Sequence, residues 1–502
     1  MATTGYLLGY DVGSSSIKAT LLDAGSGKVV ASATSPAKEL EIIARHPGWA
    51  EQHPELWWEH ARKVTTLIKE KSGVDMHDVK AIGISYQMHG LVIVDKNLKV
   101  LRPAIIWCDS RAVPIGAKAF SDIGEQACLE HLLNSPGNFT ASKLKWVKDN
   151  EPDIYNRIYK MMLPGDFIAM MMTGEIKTTP SGLSEGILWD YLDDKIADLV
   201  LDQYGISPDL IPEVVPTFSV QGTLTRQAAE ELGLKPDTTV SYRAGDQPNN
   251  AFSLKVLNQG EIAATAGTSG VVYGVSHQPK YDPQSRVNTF IHVNHERNLP
   301  RYGILLCVNG TGILNSWVKK NMMMLGNESV DYGHMNDLTA TVPVGSQGLV
   351  ILPYGNGVER TLGNRNIRAS VHGLEFNIHT KAHILRATQE GIVFALNYGL
   401  EIMRDMGIEI KTVRAGHANM FLSSLFGEAF ATITGAVVEL YNTDGPQGAA
   451  RGAGLGAGIY KGIEEAFVGL GAMRIIEPNS KLKDAYQEAY NRWHETLMIY
   501  MQ

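Results

Sequence analysis

Apolar and polar positions change rhythm repeatedly over the first part of the chain. Tyr6-Leu-Leu-Gly-Tyr10 is an apolar run of strand length, and Asp11-Val-Gly-Ser-Ser-Ser16 reads as a turn. Ile17, Ala19 and Leu21 then alternate with Lys18 and Thr20, the period of a half-buried strand. A second tight turn at Asp23–Gly27 leads to a third strand at Lys28–Thr34. In dinucleotide-binding and P-loop folds the glycine loop opens a helix. Here it joins two strands, so the pattern predicts an antiparallel meander.

Helical spacing follows. Leu56, Trp57, His60, Val64, Leu67 and Ile68 fall on one face after Pro54, which suits a first helical turn. Val79–Ser85 reads as a strand running into Tyr86-Gln-Met-His-Gly90, and Ala104–Trp107 as another ending at Cys108-Asp-Ser-Arg111. Residues 116–200 are expected to be mostly helical, and Thr238–Ala244 to be a strand ending at Gly245-Asp246. The opening then repeats in outline: strand Gly260–Thr265, turn Ala266-Gly-Thr-Ser-Gly270, strand Val271–Val275. Gly13 and Gly267 lie 254 residues apart, about half the chain, which indicates an internal duplication with a boundary near residues 253–258. Two α/β domains are expected, 1–254 and 255–502.

Composition narrows the class. The 502 residues are 44% hydrophobic and 20% charged, ordinary globular values. Lys+Arg 45 against Asp+Glu 53 gives a net charge of −8, so there is no basic footprint for nucleic acid or an anionic membrane. Any phosphate must be held locally, by backbone amides or a metal ion. Cys108, Cys128 and Cys307 are too few for a disulfide framework and match no zinc spacing. The N-terminus lacks the pattern of a secretory signal, and no apolar run approaches the ~20 residues of a membrane span. A soluble, cytoplasmic protein is expected.

Candidate chemistry sits at the turns. Successive N–H groups of Gly13, Ser14, Ser15 and Ser16, and of Gly267, Thr268 and Ser269, can nest a phosphate between two strands. Each turn alone is common hairpin chemistry; two in equivalent places favour the phosphate role. Asp11 is placed to hold Mg²⁺ through water. Lys18 stands between a phosphate contact and an alternating surface lysine. Asp246 follows an apolar strand and precedes Gln247-Pro248, so it reads as a helix N-cap, as a carboxylate at the ligand-binding end of a sheet, or as both. Gln87, Met88, His89 and Trp107 follow strands where they would line a polyol pocket, whereas Asp109 and Arg111 read equally well as a structural ion pair. Gly445–Gly458 formally matches a dinucleotide fingerprint, but no strand leads into it and its small residues recur at helical spacing, so close helix packing is expected.

Taken in order, these motifs resemble the FGGY carbohydrate kinases, and within them the xylulokinase branch, over nearly the whole chain. The N-terminal marks are Gly9–Lys18, His46-Pro-Gly-Trp-Ala-Glu-Gln52 with Trp57-Trp58, Gln87-Met-His-Gly90 and Trp107-Cys-Asp-Ser-Arg111. The C-terminal marks are Gly267–Gly270, Leu352-Pro-Tyr354 with Glu359-Arg-Thr361, and Glu390–Leu396. The resemblance implies two actin-like (ribonuclease H-like) ATPase domains flanking a deep cleft that takes ATP, Mg²⁺ and a small sugar, with a homodimer as a family expectation. It gives Asp246 the role of proton acceptor and makes Met88-His89 the ketose contacts. Gly267, Thr268 and Ser269 become the second phosphate loop, and Gly310, Gly416 and Asn419 fall near adenosine. The implied reaction is ATP-dependent phosphorylation of D-xylulose at its terminal hydroxyl. Kinases of other sugars or polyols, and an actin-like ATPase without a sugar substrate, are the alternatives. The chain departs from the family pattern at Tyr86, at Gly245-Asp-Gln-Pro-Asn-Asn250 and at Arg414-Ala-Gly-His-Ala-Asn419.

Overall fold

The computed structural model describes residues 5–323 and 330–502. These form two compact units, each a mixed α/β structure around its own sheet. The first comprises residues up to Lys255 together with 290–302 and 443–470. The second comprises 256–289, 303–442 and 471–502. Two stretches from the later half of the sequence thus belong to the first unit.

The sheet of the first unit runs in the order Phe218–Thr223, Thr239–Gly245, Val79–Tyr86, Tyr6–Val12, Ile17–Asp23, Val29–Ser35. The expected meander is its 6–35 portion, fully antiparallel. Strands 6–12, 79–86 and 239–245 lie parallel, so their C-terminal ends share one edge. Register makes this exact to the residue: Val12 pairs with Tyr86, and Tyr86 with Gly245. On one face the core includes Tyr10, Trp57, Val64, Ile68, Ile82 and Ile84, contributed in part by the helix Pro54–Ser72. Gly73, in the left-handed region at φ 66°, terminates that helix.

The glycine-rich segment is the helix Gly445–Gly456, packed across strands 6–12, 79–86 and 239–245. The packing requires bare backbone. A Cβ on Gly9 would lie 1.9 Å from the Pro446 carbonyl oxygen, one on Gly83 1.9 Å from that of Ala449, and one on Gly456 1.8 Å from that of Ser241. This explains the small residues without a dinucleotide.

The second unit repeats the plan. From one edge its sheet runs Ala472–Ile476, Val437–Tyr441, Thr412–Gly416, Glu261–Ala266, Gly270–Ser276, Tyr302–Val308, with Asn288–Ile291 outermost. Strands 261–266, 412–416 and 437–441 are parallel, and 261–266 turns back antiparallel onto 270–276. Ile262, Val272, Leu306, Val393, Phe430 and Trp493 belong to its core, and the buried helix Lys381–Asp405 supplies much of it. Arg414, from the run that departs from the family pattern, is a sheet residue pairing with Glu261 at 3.1 Å and Glu439 at 2.9 Å. Strand Ala104–Ile105 is shorter than the expected Ala104–Trp107. Among the described residues no helix is long and apolar enough to cross a membrane.

Candidate active site

In the first unit the shared register delivers three segments to one sheet edge: Asp11 and the 13–16 turn, Gln87-Met88-His89, and Asp246. The turn is closed by a Gly13 N–H to Ser16 carbonyl bond of 3.1 Å. Gln52 Nε2 donates to the Ser14 carbonyl at 2.7 Å, and the Leu40 N–H donates to that of Ser15 at 2.8 Å. Trp107, half-exposed, donates its indole N–H to Ser14 Oγ at 3.3 Å, so it stands beside this turn. Its neighbours Asp109 and Arg111 are the structural alternative: Arg111 is buried, bridges Asp109 at 2.6 Å and Glu51 at 2.8 Å, and lies 3.7 Å from the Trp49 ring centre.

Asp11 accepts from Ser85 Oγ at 3.0 Å and pairs across the strands with the exposed Lys18. Its carboxyl is nevertheless pushed above the usual range, by burial first and then by Asp444, with Lys18 and Ser85 opposing. A Cβ on Gly445 would lie 3.1 Å from Asp11 Oδ2, so the positive end of the 445–456 helix faces this carboxyl. Asn249 Nδ2 donates to the Gly445 carbonyl at 2.9 Å and fixes that end.

Asp246 is the first residue of the helix Asp246–Ser253, with Gly245 at the cap. The N-cap role expected for it falls to a residue without a side chain, which leaves its carboxyl available. That carboxyl is partly exposed, yet it is pushed up to about 7, first by desolvation and then by the nearby Asp11 charge, against hydrogen bonding from Gln247. Desolvation, with a second carboxylate at the same sheet edge, thus brings this carboxyl close to neutrality.

His89 is held with unusual firmness. Its φ is 61°, a region a non-glycine residue occupies only when its surroundings insist. Nδ1 bonds the Glu185 carbonyl at 2.8 Å, and Lys143 Nζ donates to the His89 carbonyl at 2.8 Å and to that of Ile106 at 3.0 Å. Phe139 and Phe290 lie against the imidazole, at 4.8 and 5.5 Å between ring centres. Burial brings Lys143 down to about 7. Lys143, Glu185, Phe139 and Phe290 went unremarked in the sequence. Lys143 stands in a helical segment where lysine reads as surface, and nothing in the sequence links 290 to 89. Gln87 sits at 3% exposure with neither end of its amide hydrogen-bonded.

In the second unit the 267–269 turn occupies the same position in the strand order. The Gly312 N–H donates to the Gly267 carbonyl at 2.8 Å, and the Ile313 N–H to that of Thr268 at 3.1 Å. A Cβ on Gly312 would be 2.2 Å from the Gly267 oxygen, so only glycine allows this approach. A cavity of about 500 Å³ opens beside the turn, lined in part by Gly267, Thr268, Asn315, Tyr332, Asn336 and Asn419. Asn419 is left-handed at φ 53°, and Asn315 Oδ1 is buried without a partner. Asn336 accepts from Gln389 at 3.0 Å, and Gln389 in turn from Ser423 at 2.8 Å. Asn315 and Asn336 were not evident beforehand. Gly310 and Gly416 stand outside this lining: Gly310 packs so tightly that a Cβ would sit 1.6 Å from the Pro353 carbonyl oxygen.

The two units define a class. Residues 6–253 match the N-terminal domain of the FGGY family of carbohydrate kinases, and residues 262–459 match its C-terminal domain. The chain belongs to that family, and is a phosphotransferase that uses ATP and acts on a hydroxyl of a small sugar or polyol. Its fold is that of the two-domain actin-like ATPases. It is 32% identical to the xylulose kinase of Staphylococcus epidermidis over 97% of this chain and 95% of that one. It is 30% identical to that of Bacillus subtilis, over 92% and 90%. The crystal structure of xylulose kinase from Rhodospirillum rubrum matches 99% of both chains, with TM-score 0.86 and 25% identity.

Proposed function

We propose that the protein transfers the γ-phosphoryl group of ATP to the terminal (C5) hydroxyl of D-xylulose, giving xylulose 5-phosphate and ADP. The observation that carries this reading is the register Val12–Tyr86–Gly245, which brings Asp11, Met88-His89 and Asp246 to one sheet edge. The similarity to xylulose kinases over nearly the full length supports the choice of sugar.

In this reading Met88 and His89 hold the ketose, the imidazole being fixed by the Glu185 backbone carbonyl and the His89 backbone by Lys143. Asp246 accepts the proton of the attacking hydroxyl as the new O–P bond forms and the bond to the ADP oxygen breaks. A pKa near neutrality suits a base that must be ionised before reaction and protonated after it. In the first unit the amides of turn 13–16 offset phosphoryl charge, and in the second the 267–269 turn with Thr268 and Asn419 lines the nucleotide cavity. Gln87 and Trp107 complete the sugar-side lining.

Mg²⁺ fits this site in a limited sense. Among the described residues no cluster of three or more His, Cys, Asp or Glu could hold a metal. Asp11 offers one carboxylate steadied by Ser85, which suits an ion that keeps most of its water and otherwise binds phosphate. Bound there, the ion would neutralise charge on the phosphoryl oxygens. ADP release measured over a panel of xylulose, ribulose, gluconate and glycerol tests the reading. Xylulose should be turned over with the highest kcat/KM, and ATP turnover indifferent to every sugar would end it.

A further inference from the structure

The backbone carbonyl of Glu185 orients His89; its carboxyl has no part in the reaction as described, yet its placement is costly. Glu185 ends the helix Pro180–Glu185 at 1% exposure, and neither carboxyl oxygen has a well-formed protein hydrogen bond, the Tyr86 hydroxyl and the His89 N–H standing beside it as its nearest donors. Its backbone carbonyl is occupied by His89, so the side chain has no structural bond to offer there. The carboxyl points toward the sugar-side residues: Oε2 lies 3.8 Å from His89 Nδ1, and a Cβ built on Gly245 would meet it at 2.9 Å and Met88 Cγ at 2.6 Å. Gln87, on the same loop as Met88, is the other buried side chain here with both polar atoms unmet.

The neighbourhood is adapted to this arrangement. Tyr86 stands where the family pattern has glycine, and its ring is accommodated by bare backbone opposite: a Cβ on Gly165 would lie 2.1 Å from the ring and one on Gly182 3.1 Å from the hydroxyl. Burial first, and then the charge of Asp246, push the Glu185 carboxyl well above the usual carboxylate range, against the neighbouring Tyr86 hydroxyl. A core tolerates unmet polar atoms where something outside the chain meets them.

We propose that Glu185 is a specificity-determining residue of the acceptor site: with Gln87, it hydrogen-bonds hydroxyls of a neutral polyhydroxylated sugar other than the one phosphorylated. This rests on the functional reading above and adds the recognition element for the rest of the sugar. Sites built to bond a hydroxyl reject analogues lacking it by roughly 10⁴-fold, far more than apolar pockets discriminate. Short polyols and single-deoxy ketopentoses are therefore poor acceptors for the wild-type protein.

The test uses the full-length protein and its Glu185→Gln variant with a neutral ketopentose, its single-deoxy analogues, and ATP. The variant should raise sugar KM about 10- to 100-fold with kcat within a few-fold and ATP KM unchanged. At least one deoxy analogue, penalised in wild type, should lose little more in the variant, since the pair is already broken. Thermal stability of sugar-free Glu185→Met should equal or exceed wild type, because an unmet buried carboxyl has been removed. A Glu185→Met variant that melts many degrees lower or fails to fold makes Glu185 structural and overturns the assignment. So does a Glu185→Gln variant whose sugar KM is unchanged, moves together with ATP KM, or keeps the full deoxy penalties. Wild type that phosphorylates no sugar sinks both this and the functional reading, whereas active wild type with an indistinguishable variant sinks Glu185 alone.

Discussion

The turns at 13–16 and 267–269 occupy the same place in two sheets of the same strand order, yet their surroundings differ in charge. Around the first, register gathers Asp11 and Asp246. Beside the second, the cavity lining is neutral, its polar members being Thr268, Ser316, Ser423, Tyr332 and three asparagines. An edge with two carboxyl groups suits proton acceptance and an uncharged polyol. Backbone amides, hydroxyls and carboxamides suit a polyphosphate and a base, binding charge by dipoles without overall basicity. In the proposed function one duplicated frame is divided between acid–base chemistry and nucleotide holding.

The strongest way to break this comparison is Asp246→Ala. If the first edge supplies the base, kcat should fall at least ~10²–10⁴-fold while equilibrium binding of sugar persists. Unimpaired turnover in single-turnover assays would move the chemistry elsewhere. Next in size is Gly312→Ala, whose new methyl would meet the Gly267 carbonyl at 2.2 Å. Displacing the second turn should raise ATP KM at least tenfold, in line with typical overpacking costs of about 1–3 kcal/mol, and leave sugar KM within about twofold. Equal shifts in both constants would deny the division. Asn419→Ala sharpens it further: removal of one polar contact should cost about tenfold in ATP KM, and His89→Ala should act on sugar KM in the opposite selectivity.

Much of this division was legible beforehand because it is local. Strand, turn and strand are written in the alternation of Ile17, Ala19 and Leu21, and the second copy follows at half-chain distance. Asp246 was legible because it follows a strand. The rest is three-dimensional. Lys143 reaches His89 from a helix 54 residues away, and Phe290 reaches it from a segment two hundred residues later, with no periodic signature. Glu185 was hidden for another reason: an unmet buried carboxyl is defined by missing partners, which no sequence displays. Gly310 shows the opposite ambiguity, since a glycine demanded by the Pro353 backbone looks the same in sequence as one that admits a ligand.

The smallest effect probes Asp246 through stability. In the folded protein its pKa lies at about 7, against 3.8 unperturbed, so the native state binds this proton more tightly than the unfolded chain does. Stability from this group is complete below pH ~4 and declines as pH rises toward 7. Asp246→Asn removes the penalty of ionisation. The variant should therefore melt no higher than wild type at pH 4 and higher at pH 8, by an amount of order 1 kcal/mol because water reaches part of the side chain. Wild-type kcat should fall on the acid side with an apparent pKa near 7, as the base becomes protonated. Because Asp11 and Asp246 repel, the Asn variant should also let Asp11 ionise more readily. An Asn variant that stabilises more at pH 4 than at pH 8 would mean that the Asp246 carboxyl is not raised by burial and by Asp11, and the first edge would lose the feature that distinguishes it from the second.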